Sequence, residues 1–473
     1  MVLTALLLAF IFRAFFVEAF IIPTGSMVPT LLGVHAATVC PRCGWRFDFG
    51  PRPGSGPADG AANLPVEVAC TNCGARFTAG REGGAAPAKS GDRILVHKWP
   101  AALGTLRRWD VVVFRDPANP AQNYIKRLVG LPGETIEIID GDVFIDGAVV
   151  RKTAAAQRSL WRPLLDQGHA PRPADDLIPA WEPVDAAAAR AWTGLDQRVL
   201  RFVDDSHAPR TIALSPHRPL RDTSGYDQGD FTANVGDVRL LADVRWHGGA
   251  GWLEWTLDRG GERFRVRVGA DGRVELARQA AAAGAWAVLD ETHVRLPRLF
   301  ALEFGHLDWQ VYARVDGHRL ASRDADYRPN LARLRRQVAA PPSAIAITAC
   351  AAELTLARLR VDRDVYYSYR SGDTRRASAG NAFTLASDEY FVLGDNSNHS
   401  HDAREWMRVD PFVSTHYAEL AARSANVPPF RVGTVRGDLI VGRAAFVYLP
   451  GLSPIDGAGR WRVPDVGRMR FVR

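Results

Sequence analysis

Lysine is scarce in this chain of 473 residues, and it occurs only as Lys89, Lys98, Lys126 and Lys152. The net charge of +7 therefore comes from arginine, and the arginines are spread along the sequence. A surface that binds nucleic acid needs clustered basic residues, so the sequence argues against a nucleic-acid partner. Coding by a genome of high GC content is a sufficient explanation of the arginine bias.

Cysteine is also rare, with five residues in the whole chain. Hydrophobic residues make up 47% and charged residues 23% of the sequence, which is the balance of an ordinary globular protein. The length is sufficient for two or three domains, each with a core of its own.

The N-terminus lacks an uninterrupted apolar run. Arg13 lies between the apolar segments Val2–Phe12 and Phe15–Ile22, and Glu18 lies inside the second one. As one helix, the whole segment would be about 30 Å long, close to the thickness of the hydrocarbon core of a bilayer. A cleavable signal peptide would begin with a basic stretch, and no basic residue precedes the first apolar segment. We therefore predict a retained transmembrane anchor over residues 1–20.

A β-rich stretch covers residues 91–150, in which short apolar runs predict strands at Arg93–His97, Asp110–Phe114 and Thr135–Ile139. The dipeptide Asp140-Gly141 is typical of a tight hairpin turn between two of these runs. A second β-rich piece covers residues 389–450.

A long central region separates these two pieces. From about residue 237 onward, apolar residues alternate with polar ones in several short segments, as in Leu253, Trp255 and Leu257. Short alternating strands with turn signals between them are typical of an antiparallel sandwich. The preceding part, Ala154–Asp230, is rich in Pro, Ala and Trp without a sustained period, and we predict that it is irregular.

The first candidate site is the segment Ile22–Thr30, in which two prolines and a glycine surround Ser26. These residues fix a turning, extended backbone that no helix could adopt. A nucleophile needs such a rigid and exposed position, although the same pattern also occurs in plain loops.

The second candidate site is Lys126, which lies in an apolar strand between Ile125 and Leu128. A general base must be neutral near pH 7, whereas a free lysine has a pKa of about 10.4. Burial among apolar groups lowers that pKa by up to about 3–5 units. A surface lysine on an alternating strand is the simpler alternative.

The third candidate site is the segment Tyr390–Arg404, where a strand runs into the turn Gly394-Asp395-Asn396. Ser400, Asp402 and Arg404 follow this turn. The turn residues suit the backbone, and the last two charged residues could form a surface ion pair.

Taken together and in this order, the three segments resemble the type I signal peptidases, a family of Ser–Lys proteases. Gly91–Lys98 and the late strand Val441–Ala444 extend the resemblance. It implies a mainly β catalytic domain behind an N-terminal transmembrane helix. We expect that domain to consist of residues 21–33, 91–152 and 381–450, with residues 451–473 as a C-terminal tail.

The resemblance also implies roles for individual residues. Ser26 is the expected nucleophile and Lys126 its general base. The position of Thr24 implies that its hydroxyl and the Ser26 N–H stabilise the oxyanion, and that of Ser400 implies that it orients the lysine amine. Ion pairs that hold the site together are expected from Asp395, Asp402, Arg404 and Arg127. Ala403 is a departure, because the family usually has a second serine there, and we expect a minor effect.

The reaction implied is acyl transfer after small-x-small sequences such as Ala-x-Ala, with no cofactor for catalysis. Expected partners are secretory preproteins and the lipid bilayer. The expected location is the inner cell membrane, crossed once, with the catalytic domain on the extracytoplasmic side. The rival hypotheses are a self-cleaving repressor-type protease, which would need a DNA-binding domain, and a catalytically inactive binding protein anchored in the membrane.

Two C-x-x-C pairs interrupt the family pattern within residues 34–90. Their spacing resembles a zinc ribbon in which four thiolates close a tetrahedral structural site; the cysteines are Cys40, Cys43, Cys70 and Cys73. Two disulfides, favoured by an oxidising compartment, and free thiols are the alternatives.

A second and larger insertion is expected over residues 153–380. Its part at about 230–366 resembles a concanavalin-like jelly-roll sandwich. A scaffold or docking module is the interpretation we prefer to sugar binding, and the sequence does not identify a ligand of the sandwich.

Overall fold

The computed structural model describes residues 16–50, 66–82, 89–171, 179–218, 220–226, 233–280, 284–337, 342–369, 375–424, 427–454 and 461–472. These residues form mainly β structure, which confirms the predicted fold class at this level.

The strands of the N-terminal third are short, and the predicted strands Arg93–His97 and Thr135–Ile139 are found with the same bounds. In chain order they are β1 (Val17–Ile21), β2 (Ala36–Val39), β3 (Arg46–Phe49), β4 (Val66–Ala69), β5 (Arg76–Ala79), β6 (Arg93–His97), β7 (Val111–Asp116), β8 (Asn119–Gly130), β9 (Thr135–Ile139), β10 (Asp142–Ile145) and β11 (Ala148–Val149).

The central region supplies most of the remaining strands. They are β12 (Arg162–Asp166), β13 (Trp181–Pro183), β14 (Trp192–Thr193), β15 (Val199–Asp204), β16 (Arg210–Leu214), β17 (Val238–Gly248), β18 (Trp252–Arg259), β19 (Glu262–Gly269), β20 (Arg273–Gln279), β21 (Ala287–His293), β22 (Leu299–Leu307), β23 (Gln310–Val315), β24 (His318–Ala321), β25 (Ala344–Cys350) and β26 (Ala352–Arg363).

The C-terminal part contains the last strands. They are β27 (Phe383–Thr384), β28 (Glu389–Leu393), β29 (Val435–Arg436), β30 (Ile440–Leu449), β31 (Leu452–Pro454), β32 (Arg462–Pro464) and β33 (Arg470–Phe471). The helices are α1 (Trp99–Ala102), α2 (Ala154–Leu160), α3 (Ala186–Ala191), α4 (Leu331–Leu334) and α5 (Pro411–Arg423).

One eight-stranded antiparallel sheet carries the candidate site, and we call it the site sheet. Its strand order is β1-β6-β30-β7-β8-β28-β29, with β33 also paired to β30. Strands distant in sequence therefore become neighbours, since β8 lies between β7 and β28. The hairpin β9–β10 forms a smaller sheet with β11 and β27, and its predicted turn has positive φ at Asp140 and Gly141.

The predicted anchor over residues 1–20 requires a correction at its end. Val17–Ile21 is a strand of the site sheet, and it pairs with β6 from Val17↔His97 to Ile21↔Arg93. Glu18 forms an ion pair with Lys98 at 2.8 Å. An apolar segment with β-branched residues pairs readily with an available sheet edge. This pairing explains why Val17–Ile21 is a strand and not the end of the predicted transmembrane helix.

The rest of the predicted anchor, residues 1–15, lies outside the described residues. Among the residues that the structure describes, no helix is long and apolar enough to cross a membrane.

The predicted tail, residues 451–473, also requires a correction. Its strand β33 pairs with β30 through Phe446↔Phe471 and Val447↔Arg470. Arg470 then donates to the carbonyl oxygen of Thr30 at 2.7 Å. Its last strand β33 is therefore part of the site sheet and supports the loop that contains Ser26, whereas β31 and β32 form a two-stranded sheet of their own.

Two large antiparallel sheets in the central region share one hydrophobic core, which includes Trp255, Phe264 and Phe304. One has the order β14-β15-β26-β17-β22-β23-β24, with β12 paired to β26. The other has the order β13-β16-β25-β18-β19-β20-β21. The alternating residues Leu253, Trp255 and Leu257 are fully buried, as the sequence predicted.

The prediction that Ala154–Asp230 is irregular is wrong. This segment contains α2, α3 and the strands β12 to β16, most of which join the two large sheets. These elements have two to seven residues each. The two helices, with seven and six residues, are too short to show the helical period that is recognised over about 11–18 residues.

Both ends of the predicted insertion, 153–380, pack against the site sheet. Leu160 near its start and Tyr367 near its end are buried in the same core as Leu128 and Phe391 of the site sheet. Both ends of the insertion are therefore packed against the site sheet rather than separated from it.

Candidate active site

Ser26 lies in a loop that links β1 to the first cysteine pair, and we call residues 22–34 the serine loop. Both ends of this loop are fixed by Asp92, whose backbone carbonyl accepts from Ile22 at 2.9 Å and whose carboxylate accepts from the Leu32 N–H at 2.9 Å. Met27 and Leu31, two apolar residues of the loop, are fully buried in the core. The loop is therefore held rigidly, as expected, but Ser26 is buried with 7% of its surface exposed, so the expected exposed position is not found.

The turn after β28 lies directly against the serine loop. The N–H of Asn396 donates to the carbonyl oxygen of Ser26 at 3.0 Å, and its side-chain amide donates to that of Gly25 at 3.2 Å. A Cβ on Gly394 would lie 2.5 Å from the Ser26 carbonyl oxygen and still closer to the Ser400 hydroxyl. Only glycine allows this approach, so the predicted turn brings Ser26 and Ser400 together.

Lys126 belongs to β8, in the centre of the site sheet. Its neighbour Arg127 pairs with Leu393, the residue before Gly394, across to β28. Lys126 is buried with 4% of its surface exposed. The surface alternative for this lysine is therefore wrong, and the charges of Asp402, Arg404 and Asp395 act on its amine.

Burial lowers the pKa of Lys126 from 10.5 to about 8, against the opposing effect of Asp402. Lys152 is a useful comparison because it is buried as well. Burial alone would lower the pKa of Lys152, but ion pairs with Asp308 and Asp364 raise it instead. Burial therefore favours a neutral amine near pH 8 at Lys126 and also lowers the pKa of Lys89, whereas the ion pairs of Lys152 keep its amine charged.

The hydroxyl groups of the site have few fixed partners. Within the described part of the chain, no hydrogen bond joins the Ser26 hydroxyl to the Lys126 amine. The Ser400 hydroxyl is fully buried and has no hydrogen-bond partner among the described residues. Catalytic hydrogen bonds often tighten only when the substrate binds. Thr24 is exposed, two residues before Ser26.

The predicted support residues Asp395 and Arg127 form a buried bidentate ion pair. Arg127 Nε donates to Asp395 Oδ1 at 2.6 Å, and its Nη2 donates to Oδ2 at 2.7 Å. Burial would raise the pKa of Asp395, but the Arg127 guanidinium outweighs this effect and lowers it. The Thr30 hydroxyl also donates to Asp395 Oδ2, at 2.5 Å. This pair therefore fixes the serine loop to the turn after β28.

The predicted pair Asp402 and Arg404 is fully buried as well, so the surface alternative is wrong. Arg404 donates to both carboxylate oxygens of Asp402, at 2.9 and 2.8 Å. The second of these oxygens also accepts from the Gly394 N–H at 3.0 Å. Ala403 is fully buried in the core. The pair thus holds the turn that faces Lys126.

Sequence reasoning missed Arg162, which comes from the central region. Its Nη2 donates to the Thr30 hydroxyl at 3.3 Å, beside the Asp395–Arg127 pair. Burial lowers the pKa of Arg162 to about 10, partly opposed by Asp395. No local motif surrounds this arginine in the sequence, so its role depends on a contact 132 positions away along the chain.

The four paired cysteines form one buried cluster, carried by the hairpins β2–β3 and β4–β5. Their sulfur atoms all lie within 4.8 Å of one another. The Sγ–Sγ distances are 3.6 Å for Cys40–Cys73 and 3.6 Å for Cys43–Cys70. A disulfide has a length of about 2.05 Å, whereas two sulfurs at about 2.3 Å from a tetrahedral zinc ion lie about 3.8 Å apart. The donor set fits a zinc ion.

Comparison with known proteins finds a family match over residues that include β6, β7 and β8 of the site sheet. Residues 79–175 match the family described as signal peptidase, peptidase S26; this range contains Lys126 but not Ser26. A signal peptidase I of Pseudomonas fluorescens is 31% identical over 154 residues, which is 32% of this chain and 38% of that protein. Signal peptidase I V of Bacillus subtilis is 37% identical over 62 residues, or 13% of this chain and 36% of that protein. The chain thus spans less than two fifths of either relative.

Solved structures were also compared with the chain. A carbohydrate-binding module from Bacillus subtilis covers 39% of this chain and 96% of its own, with 12% identity and a TM-score of 0.26. The catalytic domain of an endo-1,3-beta-glucanase from Thermotoga petrophila aligns over 46% of this chain and 99% of its own length, with 11% identity and a TM-score of 0.28. Scores this low support no statement about fold or ligand. The family match and the curated relatives, by contrast, support a relationship of this chain to the type I signal peptidases.

Proposed function

We propose that this protein is a membrane-bound signal peptidase that removes N-terminal signal peptides from secreted preproteins. The observation that supports this proposal best is the buried Lys126, whose pKa falls to about 8. Further support comes from its neighbour Arg127, which pairs with Leu393 next to Gly394. Gly394 in turn lies close to the Ser26 carbonyl and the Ser400 hydroxyl. A neutral amine beside a serine is the arrangement of a Ser–Lys protease.

In the proposed reaction, the Lys126 amine takes the proton of the Ser26 hydroxyl as its oxygen attacks the carbonyl carbon after a small-x-small sequence. The peptide C–N bond then breaks, the proton passes to the leaving amine, and an acyl ester on Ser26 remains. The neutral amine next activates a water molecule, which hydrolyses this ester. The Thr24 hydroxyl and the Ser26 N–H would stabilise the oxyanion in both steps.

The membrane part of the proposal is supported by apolar residues near the start of β1. Phe16 and Trp99 stack with ring centroids 5.3 Å apart, and both are about 40% exposed. Leu103 is exposed as well, and its N–H donates to the carbonyl oxygen of Trp99 at 2.8 Å. Aromatic side chains favour the membrane interface. We propose that residues 1–15 anchor the protein and that the site faces the extracytoplasmic side.

We also propose that Cys40, Cys43, Cys70 and Cys73 hold a structural zinc ion. Four thiolate ligands leave no open coordination position, so this ion would stabilise the hairpins and take no part in catalysis. Metal analysis of the purified protein, with and without reductant, tests this assignment. One zinc ion per chain is the expected result, and two disulfides without zinc would contradict it.

The function is tested by cleavage of a purified preprotein in detergent. Ser26→Ala and Lys126→Ala should each abolish processing, because one removes the nucleophile and the other its base. Ser414→Ala and Lys98→Ala are matched controls, since Ser414 lies on the exposed helix α5 and Lys98 pairs with Glu18. Near-normal cleavage by either dyad variant, or no cleavage by the unaltered protein, would contradict the proposal.

A further inference from the structure

Tyr226 of the central region lies directly against the serine loop. A Cβ on Gly25 would lie 2.5 Å from Tyr226 Cδ1 and closer still to Cε1, so the ring is packed against the Gly25 backbone. The Tyr226 hydroxyl donates to the carbonyl oxygen of Val34 at 2.6 Å. The two ends of the serine loop are joined by the Val34 N–H, which donates to the Pro23 carbonyl at 3.4 Å. Tyr226 therefore contacts both ends of this loop.

The same edge of the ring, Cδ1 and Cε1, also contacts the first cysteine hairpin. A Cβ on Gly50 would lie 2.6 Å from Tyr226 Cδ1 and 2.9 Å from Cε1. The neighbouring Gly225 approaches the carbonyl oxygen of Asp48 and lies close to the Phe47 ring, since a Cβ there would be 2.9 Å from Phe47 Cδ2. One aromatic ring is thus enclosed between two glycines, one next to Ser26 and one at the end of β3.

We propose that Tyr226 is a positioning residue for the nucleophile, and that through it the cysteine hairpin supports the serine loop. This inference rests on the proposed function of Ser26. Gly25 lies between Thr24 and Ser26, the two residues expected to stabilise the oxyanion. Movement of the Gly25 backbone would displace both of these donors, and a displacement of about 1 Å can cost about 10²-fold in rate.

The first test removes the ring. Tyr226→Ala should lower kcat for preprotein cleavage by about 10- to 100-fold with little change in KM, because Tyr226 contacts the loop and not the substrate. Tyr226→Phe keeps the ring and loses only the hydrogen bond to Val34, so it should retain most of kcat. If Tyr226 had a merely structural role, its replacement would lower the melting temperature without lowering kcat selectively at an unchanged KM.

The second test displaces the ring from the side of the hairpin. Gly50→Ala introduces a methyl group against the ring and should lower kcat in the unaltered protein. The same substitution should have little further effect in the Tyr226→Ala background, where the ring is missing. Gly248→Ala is the matched control, because a Cβ there would meet no atom within 4 Å. Additive effects of Gly50→Ala and Tyr226→Ala would refute the coupling.

Hydrogen exchange separates a failure of this inference from a failure of the proposed function, because it does not depend on activity. Tyr226→Ala should speed exchange of the Leu31 and Val34 amides, while amides of β8 stay protected. If the unaltered protein cut no preprotein and the loop amides still lost protection, the positioning role would stand and the proposed function would fall. If Ser26→Ala abolished cleavage while Tyr226→Ala changed neither kcat nor exchange, the positioning role would fall.

Discussion

Replacement of Lys126 by methionine should stabilise the folded protein at neutral pH while it abolishes activity. The pKa of this amine falls from 10.5 to about 8 on folding, because it is buried in the site sheet. At pH 7 the amine is charged in both the folded and the unfolded state. The folded state therefore carries the cost of a buried ammonium group, which amounts to about 3 kcal/mol at about 1.4 kcal/mol for each pKa unit.

The pH dependence of this effect has a definite sign. A group whose pKa is lowered on folding destabilises the folded state fully below the folded pKa, here about 8. The cost falls as the pH rises from 8 to 10.5, because the folded protein has then lost the proton while the unfolded chain retains it. Lys126→Met should therefore raise the free energy of unfolding by about 3 kcal/mol at pH 7 and by less than about 1 kcal/mol at pH 10.5.

Lys152→Met is the matched control, since Lys152 is equally buried but paired with Asp308 and Asp364. Its removal leaves two buried carboxylates without their cation, which should destabilise the protein by about 3–5 kcal/mol. The assay is urea unfolding of all three proteins at pH 7, 9 and 10.5. No gain from Lys126→Met at pH 7, or a gain that does not change with pH, would refute the buried-ammonium explanation.

Three further predictions concern the proposed activity. The value of kcat/KM should rise about tenfold between pH 7 and pH 9, as Lys126 with a pKa of about 8 becomes neutral; a flat profile would exclude it as the base. Gly394→Ala should lower kcat by at least about 10²-fold, because its methyl group would collide with Ser400 and the Ser26 carbonyl, whereas Gly248→Ala should not. Removal of metal by a chelator should lower both the melting temperature and kcat. Restoration of both values by zinc alone would identify the ion, whereas unchanged values after chelation would contradict the zinc assignment.

Several strands of the site sheet and of the smaller sheet could be predicted because their signals are local. Arg93–His97 and Thr135–Ile139 show short apolar runs, and Asp140-Gly141 supplies a turn with positive φ at both residues. The pairing of charged residues could be expected only from the family resemblance. Val17–Ile21 shows the limit of local reasoning. Its apolar residues continue the segment predicted as a helical anchor, but in the structure they form a strand paired with the edge of β6.

Contacts between distant segments could not be predicted from the sequence. Arg162 and Thr30 are 132 residues apart along the chain and meet only in the fold. Tyr226 and Val34 are 192 residues apart. Neither Arg162 nor Tyr226 lies in a recognisable motif, so no property of the local sequence separates them from the other arginines and tyrosines of the chain.

These distant contacts change how the central region should be understood. An insertion that served only as a docking module would need no buried polar contact with the site. Here Arg162 donates a hydrogen bond to the Thr30 hydroxyl beside the Asp395–Arg127 pair. The Asp222 carboxylate accepts a hydrogen bond at 3.4 Å from Asn398, which lies two residues before Ser400. Removal of these partners would leave buried charged or polar groups unpaired, which is costly. The central region is therefore a structural part of the candidate site, whatever else its two large sheets bind.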